Sequence, residues 1–209
     1  MRIALNLKGL SYEYVAVHLA RREQHDPAYR SVSPDSLVPG LDVAGDPDHA
    51  LLIQSTAIIE YLDETHPKPP LLPRDPPGRA RVRALAQTIA CEIHPISNLR
   101  VLKYLADPRG LDDGRRAEWY NHWVREGLRH YERRLQLLAE ERARAGLPPS
   151  VYSPMVTRLH WLTAAWFPSW STASAYDDLN IPLTLAIFER CRALDAFQRA
   201  HPSRCPDAE

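Results

Sequence analysis

The chain is poor in cysteine, and that shortage excludes two classes of protein. Its 209 residues contain three cysteines, Cys91, Cys191 and Cys205, with no repeated spacing between them. An odd, unpatterned set predicts neither a disulfide framework nor a zinc site, so we expect a reducing, cytoplasmic setting and no metal. We expect Cys91 and Cys191 to be buried structural thiols.

Net charge and long apolar runs are also absent. Lysine plus arginine total 26, aspartate plus glutamate total 26, and the formal charge is therefore zero. Balanced charge gives no reason to expect a nucleic acid or an acidic membrane as partner. No apolar run reaches membrane-spanning length and no signal peptide is recognised, so we expect no membrane partner either.

Proline, by contrast, is abundant, with nineteen copies that mark boundaries. The run His66–Pro77 is too proline-rich for a helix or a central strand, which predicts an extended linker over 67–77. Both helical and strand patterns precede this run, and only helical periodicity follows it. We therefore predict an α+β, mostly helical protein with an α/β domain over 1–66 and an all-helical domain over 78–209.

The first domain begins with a helical pattern over Met1–Leu7, closed by Lys8 and by Gly9 in the C′ position. Alternating aromatic and β-branched residues over Tyr12–His18 predict a strand. The polar stretch Arg21–Arg30 is partly helical in pattern.

A β-hairpin is predicted next, over residues 38–53. Its first strand, Val38–Val43, is entered through Pro39, which suits a strand start or a cis bond in a tight turn. The stretch Gly45–Asp48 is typical of a hairpin turn, and Ala50–Ile53 is the return strand.

The stretch Gln54–Leu62 follows this strand and opens a helix that extends to about Thr65. Ser55 is the predicted N-cap, and the expected apolar face consists of Ala57, Ile58, Tyr61 and Leu62. A helix N-terminus offers free N–H groups and a positive dipole end, so it can hold a carboxylate. An ordinary capped helix is the alternative interpretation.

Four helices are predicted after the linker. The third of them is long and has an apolar stripe that includes Trp119, Trp123 and Leu128. The predicted ranges are Arg79–Ile93, ended by His94-Pro95, then Asn98–Leu105, Arg115 to about Arg144, and Pro182–Leu194.

Several motifs together resemble one family. They are Arg2–Gly9, Val38-Pro39, Gln54–Glu64, Leu71–Pro73, Ile93–Leu99 and the tail from Ala196 to Ala208. Each is weak alone, but their order resembles the zeta-class glutathione transferases, and within them the maleylacetoacetate and maleylpyruvate isomerases. This resemblance implies a thioredoxin-like domain followed by an all-α domain, with glutathione as cofactor, a dicarboxylic diketo acid as substrate and a homodimer.

The resemblance also implies a glutathione site made of Gln24, Val38, Pro39, Gln54 and Ser55. Val38 would pair through its main chain with the cysteinyl part, and Gln54 and Ser55 would hold the γ-glutamyl carboxylate. Gln24 aligns near the glycyl end.

Substrate contacts are implied for the segment that lines the cleft between the domains, namely His94, Asn98, Leu99 and Arg100. Arginine can pair with a carboxylate through two hydrogen bonds. The alternatives are that His94 only ends a helix before Pro95 and that Arg100 is a solvated charge.

Two departures from the family pattern stand out. The serine motif that activates the glutathione thiol corresponds to positions before Met1, together with the first strand of the sheet, so no catalytic residue is assigned. The family's helix-start motif is also missing from about Val151 to Ala175. Reading those codons one base out of register forces Gly, Leu and Val where the family has them, which supports the hypothesis of a frameshifted stretch that the nucleotide sequence would decide.

Two functions therefore compete. The first is a glutathione-dependent cis–trans isomerase of aromatic and tyrosine catabolism, acting on maleylacetoacetate or maleylpyruvate. The second is a catalytically impaired glutathione-binding or structural protein, because the activating serine is missing. A general conjugating transferase would differ by turning over electrophilic halides instead.

Overall fold

A computed structural model describes residues 1–46, 51–147 and 178–205. These residues form two compact units, the first made of Met1–Leu71 and the described residues from Ala193 onward, the second of Leu72–Arg192. The predicted domain ranges 1–66, 67–77 and 78–209 stay a prediction. The hairpin turn around Pro47-Asp48 and the stretch 151–176 lie outside the described residues. No helix in the described part has the length and apolar character to cross a membrane.

In the first unit, helix α1 spans Arg2–Lys8 and ends at Gly9, whose φ of 68° is the left-handed conformation that glycine adopts most easily. This end confirms the predicted helix. Buried residues of α1 and α3 (Ser55–Thr65) form the core with the C-terminal helix α9 (Asp195–Arg199). The buried side chains include Ile3, Leu5, Ile58, Ile59, Leu62, Leu71 and Phe197.

The strand predicted over Tyr12–His18 is wrong. The segment has no β-ladder among the described residues, and a strand exists only where a neighbour receives its hydrogen bonds. At its end the main chain turns back on itself instead, because Glu23 N–H donates to His18 O at 3.2 Å. A 3₁₀ turn over Glu23–His25 and helix α2 (Pro27–Val32) follow, as the partly helical pattern predicts.

The hairpin is present but shorter than predicted. Strand β1 (Gly40–Leu41) pairs antiparallel with β2 (Leu52–Ile53), with Gly40 opposite Ile53. The Val38–Pro39 peptide bond is cis, as the sequence suggests.

Helix α3 begins at Ser55, and its N-cap is Gln54 rather than the predicted Ser55. Gln54 has φ 67°, so the chain already turns there and Ser55 takes helical geometry. Its buried face also differs from the prediction, since Ile59 is buried and Ala57 is exposed.

In the second unit, helix α4 spans Pro76–Gln87 and so begins inside the predicted linker. Pro76 and Pro77 occupy its first positions, where a missing N–H costs nothing, and Asp75 caps it by accepting from Gly78 N–H at 2.7 Å. A π-helical turn (Thr88–Ile93) continues directly into α5 (His94–Ser97). The helical path therefore does not end at His94-Pro95, contrary to the prediction.

The described residues of this unit contain three further helices, α6 (Leu99–Ala106), α7 (Asp113–Arg144) and α8 (Pro182–Arg192). The predicted stripe of α7 is largely confirmed, with Leu128, Tyr131 and Leu135 buried, although Trp123 is exposed. Gly127 faces the π turn so closely that an added Cβ would lie 2.3 Å from Ile93 Cγ1. Cys191 is buried as predicted and burial raises its pKa, but Cys91 is exposed, contrary to the prediction.

Candidate functional site

The β-ladder brings four of the predicted glutathione residues to one end. Gly40 lies opposite Ile53. Pro39 directly precedes Gly40 and Gln54 directly follows Ile53, so both adjoin this pair, and Val38 and Ser55 are the next residues along the chain. Residues distant in sequence therefore converge where the hairpin enters α3.

Gln54 is held in an unfavourable backbone conformation at this point. Its φ of 67° and ψ of 112° lie in a region that suits glycine rather than glutamine. Such strain costs of order 1–3 kcal/mol and is concentrated at functional sites. An exposed glutamine kept in this geometry is therefore consistent with a binding role.

The first turn of α3 has backbone donors to offer. Its first intrahelical bond runs from Ile58 N–H to Gln54 O at 3.0 Å. The N–H groups of Ser55, Thr56 and Ala57 thus precede the helical ladder, and the N-cap side chain makes no capping bond in the described structure. Together with the helix dipole, these donors fit a carboxylate such as the γ-glutamyl end of glutathione.

Gln24 lies apart from these four residues in the chain, on the 3₁₀ turn Glu23–His25. Its Oε1 is buried and has no hydrogen-bond partner among the described residues, while its Nε2 lies 3.3 Å from His25 Nε2. A buried polar atom without a partner is uncommon and suits a residue that awaits a ligand. Its role at the glycyl end stays a prediction.

The predicted substrate segment begins with His94, which opens α5 directly after the π turn. Such turns in helices are frequent at functional sites. Burial, and secondly the nearby charge of Arg100, lower the pKa of His94. The imidazole is therefore neutral at pH 7, and an anion bound beside it would favour its protonated form.

Asn98, Leu99 and Arg100 open α6. The Asn98 side chain accepts from Val101 N–H at 3.2 Å and so caps this helix, a structural role that the sequence prediction did not include. Leu99 and Arg100 are exposed. A guanidinium in that position is available to a carboxylate in solution, and substrate binding by these residues stays a prediction.

One residue that holds this segment was missed as a functional candidate. Trp119 Nε1 donates to Ile96 O at 2.8 Å, which satisfies a carbonyl in α5. The sequence indicates only its place in the apolar stripe of α7, because nothing in the local pattern shows a distant acceptor. Nearby in sequence, Ser97 Oγ is buried without a partner in the described part of the chain.

Comparisons with known proteins define the class. Residues 1–70 match the family model of the glutathione S-transferase N-terminal domain. The maleylpyruvate isomerase of a Ralstonia species is 41% identical over 210 residues, covering 100% of this chain and 93% of the relative.

Two solved structures agree. One is the holo structure of a maleylpyruvate isomerase, a bacterial zeta-class glutathione S-transferase, with TM-score 0.82 and 39% identity, covering 100% and 93% of the two chains. The other is the maleylacetoacetate isomerase of Methylobacterium extorquens AM1 with bound malonate and glutathione, with TM-score 0.82 and 36% identity, covering 100% and 92%. The fold is therefore that of the glutathione S-transferases, and the predicted fold class is confirmed.

The particular family follows from the same relatives. The chain belongs to the maleylpyruvate and maleylacetoacetate isomerase family of zeta-class glutathione S-transferases.

Proposed function

We propose that the chain is a glutathione-dependent cis–trans isomerase of maleylacetoacetate or maleylpyruvate, working in aromatic or tyrosine catabolism. The observation that carries this proposal is the chain path around the ladder pair Gly40–Ile53, where the cis Val38–Pro39 bond enters one strand and the other strand runs through Gln54 into the N-terminus of α3. The related maleylpyruvate and maleylacetoacetate isomerases supply the reaction and the choice between two substrates.

The residues of the first unit have a binding role. The amides at the start of α3 hold the γ-glutamyl carboxylate, and the Val38 main chain pairs with the peptide portion. Bound glutathione supplies a thiol that adds reversibly to a conjugated double bond, so that the bond can rotate before the thiol leaves. Holding the peptide at two points would restrict its orientation toward the substrate.

The residues of the second unit have a role toward the substrate. Arg100 pairs with a substrate carboxylate, and His94, neutral at pH 7, becomes protonated more easily as that anion approaches. Interactions that strengthen as negative charge develops lower the barrier more than interactions that are equal throughout.

The test is an isomerase assay with maleylacetoacetate and maleylpyruvate, with and without glutathione. We expect turnover of at least one substrate that disappears when glutathione is omitted. Turnover that does not depend on glutathione, or turnover of an electrophilic halide but of neither diketo acid, would contradict the proposal.

The alternative is a glutathione-binding protein that does not isomerise these substrates. The residues of the candidate glutathione site, Val38, Pro39, Gln54 and Ser55, are all assigned binding roles by the family resemblance, and none is assigned the activation of the thiol. Assaying the chain beside a version extended upstream by the family's serine motif separates the two. Activity only in the extended version favours the alternative for this chain, whereas equal activity excludes it.

Two further properties are part of the proposal. We infer a homodimer and a cytoplasmic location, both from the family resemblance and the cysteine usage. Sedimentation equilibrium of the purified chain measures the first, and a mass of one chain at all concentrations would contradict it.

A further inference from the structure

A buried cation lies at the end of α1. Lys8 Nζ donates to Asp63 Oδ1 at 2.6 Å, to His66 O at 2.6 Å and to Pro69 O at 2.8 Å. The lysine side chain has 0% exposure and that of Asp63 has 10%. Three acceptors use all three ammonium donors, so the charge is fully compensated.

Asp63 joins this cation to two other parts of the first unit. It lies on α3, and the same oxygen, Oδ1, also accepts from Leu71 N–H at 2.7 Å. The pair thus connects α1, α3 and the segment His66–Leu71 through short polar contacts.

These polar contacts fix the axial position and the rotation of α3, which apolar packing alone does not. The core face of α3 is made of Ile58, Ile59 and Leu62, and hydrophobic contact is non-directional, so it permits small sliding and rotation of a helix. A buried ion pair with saturated hydrogen bonds has one good geometry, and setting register is the best-supported use of such pairs.

The helix transmits this constraint to its other end. Ser55 is eight residues before Asp63, which is about 12 Å along a helix axis. A shift at Asp63 therefore moves the Gln54-Ser55 end by a comparable distance. A misplacement of about 1 Å is large for a site that must hold a ligand in one orientation.

We propose that Lys8 and Asp63 are a positioning pair for the glutathione site, in which they hold the N-terminus of α3 in register with the end of the hairpin. They do not contact the ligand. The inference rests on the proposed function, since it assumes that the start of α3 binds glutathione.

The experiment measures glutathione affinity by calorimetry in the full chain, together with thermal unfolding. The variants are Asp63→Asn, which keeps an acceptor but removes the charge, and the double variant K8M/D63L, which replaces the pair by apolar side chains. We expect both to bind glutathione about tenfold more weakly than the wild type while folded.

The double variant separates positioning from stability. Replacing a buried ion pair by apolar residues often restores stability, but here it also removes the partners of His66 O, Pro69 O and Leu71 N–H. Affinity is therefore measured well below the double variant's own thermal midpoint, where weak binding by the folded protein supports the proposal. Wild-type affinity in the double variant would overturn it, because burial alone would then suffice. The control is Glu126→Gln, since Glu126 pairs with Arg129 at the same 2.6 Å but in an exposed position, and we expect it to change neither quantity.

Amide hydrogen exchange at residues 58–61, whose N–H groups are the first inside the helical ladder of α3, gives a readout that does not depend on glutathione. We expect faster exchange there in both variants than in the wild type, at conditions where all are folded. Unchanged exchange in the two variants overturns the positioning role. A wild-type chain that does not bind glutathione contradicts the proposed function instead, and exchange still decides the inference.

Discussion

The N-termini of α3 and α6 satisfy their first backbone amides in different ways. Asn98 caps α6 with its own side chain, at 3.2 Å from Val101 N. Gln54 begins α3 in a strained conformation and makes no side-chain cap in the described structure. Both positions were predicted as binding residues from the family resemblance. Under the proposed function, α3 keeps its donors for a ligand, whereas α6 uses the Asn98 side chain internally and the proposed substrate contact falls to the exposed Arg100.

Helix α8 shows a third arrangement. Its N-terminal donors are satisfied by a carboxylate on α7, because Glu132 accepts from Leu183 N–H at 3.0 Å, from Thr184 N–H at 2.8 Å and from Thr184 Oγ1 at 2.6 Å. Glu132 is 2% exposed. A helix start that is not reserved for a ligand can thus be closed by a buried charge from another helix.

We expect the largest change in the free energy of unfolding at the start of α8. Glu132→Ala leaves two amides and a hydroxyl unsatisfied in a buried place, so we expect the free energy of unfolding to fall by about 3 kcal/mol. Urea denaturation measures it. Glu140→Ala, which removes an exposed partner of Arg144, should cost less than about 0.5 kcal/mol. Equal losses would show that the buried cap has no special role.

The Asn98 cap should contribute less to the free energy of unfolding than Glu132 does. Asn98→Ala removes one capping bond, and we expect a loss of about 1 kcal/mol in unfolding free energy. Asn98→Asp keeps the acceptor and should retain most of the stability. If Asn98→Ala leaves stability unchanged but abolishes substrate binding, Asn98 acts on the ligand and the contrast with α3 is wrong.

At the start of α3, in contrast, we expect a substitution to raise the free energy of unfolding. Gln54→Gly relieves a positive φ, and we expect a gain of up to about 1 kcal/mol in unfolding free energy. Glutathione affinity should fall in the same variant because the glutamine side chain is lost. Arg22→Gly is the control for the effect of glycine on stability, because Arg22 also has a positive φ, of 65°, but lies on another segment. A stability loss in Gln54→Gly would contradict the strain argument.

The smallest expected effect on stability comes from the titration of His94. The pKa of His94 is lowered by burial first and by Arg100 second, so the folded state binds fewer protons than the unfolded state. Stability from this group is complete above the unfolded pKa of about 6.5 and decreases as pH falls below it. We expect Arg100→Gln to raise the His94 pKa and to weaken that decrease. NMR titration of the imidazole measures the pKa, and no change would show that Arg100 is too well solvated to matter.

Local patterns in the sequence predicted much of the fold. Helices α1, α3, α7 and α8 have strong periodicity or clear ends, such as Gly9, and the structure places them close to the predicted ranges. The strand over Tyr12–His18 failed because alternation indicates a suitable surface but does not supply a neighbouring strand. Helix α4 begins before the predicted Arg79 because proline is tolerated at the first helical positions.

The candidate site was predicted in part. The resemblance implies Val38, Pro39, Gln54 and Ser55, which flank the ladder pair Gly40–Ile53 in the chain, and their role as a site stays a prediction. The pair of Lys8 and Asp63 could not be predicted, because its partners are distant in sequence and include main-chain carbonyls. Glu132 was missed for the same reason, since nothing in the local pattern of α7 marks an acceptor for α8.

The claim that α3 reserves its N-terminal donors for glutathione is tested most directly by amide NMR during a glutathione titration. The account predicts saturable shifts of the Ser55 and Thr56 amides, while the capped Val101 amide of α6 serves as the internal reference and stays unchanged. Glutathione binding without shifts at Ser55 and Thr56 would contradict it.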